Sequence, residues 1–129
     1  MKHEIDNIHL PQQTKDQLSR LKRLTGIDQW NILCRWALCI SLQEKNDPPK
    51  ERPITDSNLD IAWKTFSGVQ GPVYYALLVD RCRSENKEIN KENLSGLLRR
   101  HIVRGAGYLT ARRDLHSIED LLKIASVVN

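Results

Sequence analysis

Apolar residues recur at helical spacing over most of the chain, and that period predicts an all-α fold with one short strand at its start. Residues 4–10 alternate imperfectly and read as the strand. Pro11 sits where a first helical turn tolerates proline, and a helix follows to Leu24 with Leu18, Leu21 and Leu24 as its apolar seam. Gly26 is placed to end it in a left-handed cap, and Asp28 to cap a second helix reaching about Leu42. That second helix is apolar on nearly every side. Ile27, Trp30, Leu33, Cys34, Ala37, Leu38 and Ser41 form one stripe, and Ile32, Trp36, Cys39 and Ile40 form another. A helix of this kind needs cover on nearly every side, so Trp30, Trp36, Ile32 and Ile40 are expected in or beside an oligomer interface.

Residues 44–57 carry three prolines and seven charges and read as a loop. Leu59, Ala62, Trp63 and Phe66 suggest a short helix closed by Gly68 and Gly71. Pro72 opens a longer one to about Asn86, with Val73, Tyr74, Ala76, Leu77 and Leu78 as its inner positions. Asn90 caps the next, whose inner residues are Leu94, Leu97, Leu98 and Ile102. Arg99, Arg100 and Arg104 then fall on its outer side, and Gly105 and Gly107 are expected to break it. Ser117 with Asp120 makes a capping-box-like pair ahead of a last helix that turns Ile118, Leu121, Leu122 and Ala125 inward. The expectation is one mainly α domain over 1–129, compact and oligomeric, with the short strand preceding two helices.

Charge changes the picture more by position than by total. The 129 residues carry a formal net charge of +4 with 28% charged and 40% apolar residues, which excludes a disordered tail. No apolar run approaches a membrane span, and no apolar block resembles a secretory signal, so a cytoplasmic protein with three reduced thiols is expected. Lys15, Arg20, Lys22 and Arg23 cluster against the single acid Asp16. Arg99, Arg100, Arg104, Arg112 and Arg113, with His101, form an acid-free second group. Segregated bases of this sort produce a local positive field, for which a phosphate backbone is the usual partner and a solvated helix face the plainer explanation.

Catalytic constellations are scarce. Cys34 and Cys39 are five apart and fall on different helix sides, Cys82 has no local partner, and no Cys/His spacing matches a metal site. Neither a metal nor a cofactor is expected. His101 amid arginines reads as an aid to anion binding. A nuclease would need gathered carboxylates, and Asp56 with Asp60, a turn before Lys64, is one candidate on a helix face. Asp56 also suits an N-cap, and Glu119 and Asp120 suit a helix N-terminus. A non-catalytic protein is the expectation, with a DNA nickase and an assembly adaptor as the alternatives.

The blocks TGIDQWNILCRWALCISL (25–42), AWKTFSG (62–68), VYYALLVDRC (73–82) and RRHIVRGAGYL (99–109) together resemble DndE, the small subunit of the bacterial Dnd DNA phosphorothioation system. The likeness runs in order over about residues 5–109. It implies a subunit that works beside other Dnd sulfur-modification subunits, which carry the desulfurase and nucleotide-activating chemistry. It further implies a tetrameric binder of nicked duplex DNA held by surface lysines, a role that falls here on Lys15 and Lys22 beside Arg20 and Arg23. Arg99, Arg100 and Arg104 make a second, less favoured group, with Asp114, Glu119 or Asp120 as their rivals for pairing. The strand followed by two helices is also similar to a ribbon-helix-helix unit, although Glu4 and Asp6 are poor residues to press into a major groove.

Overall fold

The computed structural model describes residues 5, 7–50 and 57–127. Those residues form β1 (Ile8–His9), α1 (Gln12–Thr25), α2 (Trp30–Leu42), β2 (Asp60–Ile61), α3 (Trp63–Ser67), a 3-10 turn (Gly68–Gln70), α4 (Gly71–Ser84), α5 (Lys91–Ala111) and α6 (Ile118–Val127). The fold is mainly α, with a short strand leading into two helices. β1 pairs antiparallel with β2 of its own chain, Ile8 opposite Ile61 and His9 opposite Asp60. Ser57 strengthens the join by donating its hydroxyl to the Leu10 carbonyl while accepting from the Leu59 amide. The strand's hydrogen-bonding edge is therefore occupied within the chain, unlike the ribbon of a ribbon-helix-helix dimer. Glu4 and Asp6 lie outside the described residues.

α5 is the central post. Leu94, Leu97, Leu98, Ile102, Ala106 and Leu109 are buried along it, and α1, α2, α4 and β1 pack around it. Its 21 residues pass through Gly105 and Gly107 without a break, contrary to the sequence expectation. The reason lies across the seam. A Cβ at Gly105 would stand 1.8 Å from the Ala37 carbonyl oxygen, so glycine lets the α2 and α5 backbones touch. That approach offsets the roughly 1 kcal/mol by which glycine weakens a helix interior relative to alanine.

α1 ends as expected at Gly26, in the left-handed region at φ 75°, its amide returning 2.9 Å to the Lys22 carbonyl. α2 starts later than expected. Gln29, not Asp28, takes its N-cap position, with no side-chain cap, and Leu33, Cys34, Ala37, Leu38 and Ser41 carry the buried stripe. Asn90 does cap α5, accepting the Asn93 amide at 2.8 Å.

Two helices are rotated from their expected orientation. On α4 the i, i+4 pair Leu78 and Cys82 is buried, while Val73 and Leu77 are 53% and 41% exposed and Ala76 is also outside. On α6 Leu121 and Ile124 are buried, whereas Ile118, Leu122 and Ala125 face out. Both sequences offer two apolar stripes, and the one adjoining the hydrophobic core is buried. The α6 start follows expectation: Ser117 Oγ accepts the Asp120 amide, and Asp120 accepts the His116 amide at 2.9 Å.

Candidate nucleic-acid interface

α1 builds the candidate surface. Thr14, Leu18, Leu21 and Thr25 point into the core, leaving a polar outer face. At about 100° per residue, Lys15 and Lys22 fall two turns apart on one flank. Arg23 projects at the crest, exposed, and Arg20, also exposed, lies on the other flank beside Gly107, Thr110 and Ala111 of α5. The Lys15 ammonium donates to the Asn58 amide oxygen. The Lys22 ammonium stands 3.5 Å from the centroid of the Trp30 ring. An amide and an aromatic face orient these cations without cancelling their charge. Four bases on one solvent-facing helix make a row able to attract phosphates.

The second basic group separates. Arg104, expected outside, is turned inward: its side chain is 7% exposed, and its guanidinium donates to Ser41 Oγ at 2.8 Å, the Ser41 carbonyl at 2.8 Å and the Asn46 carbonyl at 2.9 Å. The cause is the end of α2. Gln43 continues in right-handed helical geometry, and the Gln43 and Glu44 amides return to the Ile40 and Ser41 carbonyls. Arg104 and Arg81, the latter donating to the Leu42 carbonyl, add further donors and a positive charge at the negative helix end. Arg104 is therefore removed from the candidate surface. Arg112 pairs with Asp114 at 2.9 Å, as anticipated for this group. Arg99 has contacts of its own, and Arg100 lines a small pocket with Lys50, Lys87 and Asn93.

His101 also departs from expectation. It is fully buried, with Nδ1 2.7 Å from Ser41 Oγ. Ser41 Oγ also accepts from Arg104 Nε, and His101 Nε2 lies 4.0 Å from Glu85. Burial, with Arg81 and Arg104 alongside, pulls the His101 pKa down to about 3. A neutral, enclosed imidazole does not assist anion binding.

The expected interface residues go to three places. Ile32 and Trp36 line an open groove of about 270 Å³ with Arg35, Cys39 and Tyr74. Ile40 lies in a separate groove near Tyr108 and Ile124, and Trp30 lies under Lys22. Exposed Val69, Val73 and Leu77 extend the apolar surface along the 3-10 turn and α4. Arg35 ties α2 to α3 through the Phe66 and Thr65 carbonyls. Sequence reading missed Arg35 and Arg81; the readable signal was a helix ending at Leu42 without a glycine.

Asp60 belongs to β2 and Lys64 to α3, so they do not share the helix face expected of them, and Asp56 lies outside the described residues. Among the described residues no three His, Cys, Asp or Glu gather as a metal would require, and no helix is long and apolar enough to cross a membrane. Cys34 and Cys82 are buried free thiols and Cys39 an exposed one. Burial pushes the Cys34 thiol up to about 12.

Comparison with known proteins agrees with this geometry. The crystal structure of DndE from Escherichia coli B7A, involved in DNA phosphorothioation modification, is similar at 23% identity and a TM-score of 0.69, covering 84% of this chain and 99% of that one. A crystal structure of the DndE G21/24K mutant, involved in DNA phosphorothioation, gives 21% identity and a TM-score of 0.64, covering 83% and 98%. No curated protein sequence matches. The family model of the DNA sulphur modification protein DndE matches residues 7–117, and the chain belongs to that family.

Proposed function

We propose that this protein is a non-catalytic DNA-binding subunit of the phosphorothioation machinery, gripping the duplex backbone as a homo-oligomer beside other Dnd subunits. The observation that carries the reading is the α1 face, where Lys15 and Lys22 are oriented by neutral partners and Arg20 and Arg23 are exposed. Each phosphate neutralised releases condensed counterion, so log affinity falls with log salt by about 0.9 per contact. A homotetramer would pool four such faces and gain avidity from weak contacts. The uncovered groove at Ile32, Trp36 and Tyr74, continued by Val73 and Leu77, supports self-association through α2 and α4. A nick eases bending, which accounts for a preference for nicked duplex through deformability.

Anisotropy titration of nicked and intact duplexes across a salt series tests this reading. We expect Lys15→Glu with Lys22→Glu to weaken binding at least thirtyfold, and Lys15→Ala with Lys22→Ala to flatten the salt slope by about 1.8. Unchanged affinity in the reversal variant, with loss of subunit assembly, would establish the adaptor reading instead. Mg²⁺-dependent strand cleavage abolished by Asp60→Ala would establish the nickase.

A further inference from the structure

Arg100 differs from its neighbours. Arg35, Arg81 and Arg104 each donate to carbonyl oxygens of the fold. No such carbonyl bond is found for Arg100 among the described residues; its Nε, like Arg81 Nη1, is closed off from solvent without an acceptor. Its side chain lines a pocket of about 360 Å³ with Lys50, Lys87 and Asn93, between the segment after α2, the α4–α5 turn and the first turns of α5. Lys87 pairs with Asp47 and Glu85, both at 3.1 Å, which fixes its ammonium at the pocket wall. Among the described residues, three cations line the pocket, and the two carboxylates both engage Lys87. Asn93 is anchored as well, donating to the Glu88 carbonyl at 2.8 Å.

Gly96 supplies a second, independent sign. It lies one turn before Arg100 inside α5, where glycine weakens the helix. A Cβ there would stand 3.3 Å from Arg100 Nη1, so the missing methyl leaves the space in which the guanidinium rests. The Arg100 guanidinium shares the pocket lining with Lys50 and Lys87, and a planar fork beside ammonium groups suits a tetrahedral oxyanion.

We propose that the Lys50–Lys87–Asn93–Arg100 pocket binds a phosphoryl group. No α1 residue lines it, so the proposal stands apart from the DNA-gripping role of that helix. The phosphoryl group has two sources, a backbone phosphate of DNA or a free phosphate or phosphate ester, and the experiment separates them.

Inorganic phosphate is titrated with the full-length protein and followed by ³¹P line broadening. Wild type should broaden saturably. Arg100→Gln should raise the apparent Kd at least tenfold, and Gly96→Ala, which keeps the charge but crowds the guanidinium, severalfold. Lys50→Gln, at an exposed position, repeats the test should Arg100→Gln fail to fold. Absence of saturable broadening, or equal titrations of wild type and the folded variants, overturns the proposal. Nicked-duplex affinity is measured on the same proteins. A parallel fall supports a backbone phosphate as the occupant, and an unchanged DNA affinity supports a small phosphate. Failure of the α1 reading shows separately, as unchanged DNA binding in the Lys15 and Lys22 reversal with phosphate binding retained.

Discussion

The bases of Lys15–Arg23 and the Arg81–Arg104 pair are both cationic groups on helices but do different work. On α1 the helix closes at Gly26, and Lys15 and Lys22 meet an amide oxygen and an aromatic face rather than main-chain carbonyls. At and just after the end of α2, two guanidinium groups turn toward the fold and donate to the carbonyls of Ser41, Leu42 and Asn46. The difference shows that a basic cluster stays at the surface where its partners are neutral side chains, and is withdrawn where helix-end carbonyls engage it. Charge density along a sequence does not record that condition; the capping state of neighbouring helices does.

The strongest way to break the buried half of this comparison is at its seam. Gly105→Ala forces the new methyl onto the Ala37 carbonyl, so α2 must separate from α5, and the guanidinium bonds at the α2 end are disrupted with it. We expect a loss of about 3 kcal/mol or more by thermal and urea melts. Gly107→Ala, where the nearest side-chain atom is 3.9 Å away, should be neutral or stabilising. Equal effects at the two glycines would contradict the close approach.

A smaller effect sharpens the distinction. Arg104→Met keeps the aliphatic stem but removes the donors to Ser41 Oγ and to the Ser41 and Asn46 carbonyls, which should reduce stability by about 1–2 kcal/mol while leaving the DNA affinity of the folded protein unchanged. The Lys15 and Lys22 reversal should show the opposite pattern, with melting within about 0.5 kcal/mol of wild type and binding lost. A DNA defect in Arg104→Met that matched the lysine reversal would return Arg104 to the binding surface.

Much of this was legible in the residues. The 3.6 period located six helices, Gly26 and Asn90 marked their boundaries, and α1 carried its lysines outward as spacing required. What spacing left open was decided across elements. Gly105 reads as a breaker unless Ala37 is known to face it, and the two stripes of α4 are equally apolar until α5 selects Leu78 and Cys82. The inward turn of Arg104 likewise depends on carbonyls more than fifty residues earlier. The family model ends at residue 117, one position before α6 begins, so the helix that buries Leu121 and Ile124 lies beyond the matched region.

The gentlest test uses pH to probe the buried region without altering α1. His101 is held neutral among Ser41, Arg81, Arg104 and Glu85, with its pKa near 3, against about 6.5 in an unfolded chain. Between those values the unfolded state binds the proton and the folded state does not. Stability therefore falls as pH drops below about 6.5, by about 1.4 kcal/mol per pH unit at most, and is level above it. Burial raises the Glu85 pKa, which contributes in the opposite direction, with stability falling as pH rises through the carboxylate range. Subtracting the profile of His101→Gln from that of wild type removes the Glu85 contribution common to both. The difference should slope upward with pH from about 4 to 6.5 in urea melts. A flat difference would mean that His101 takes up its proton within the fold, and with it that the arginine end of α2 is open to solvent in the way α1 is.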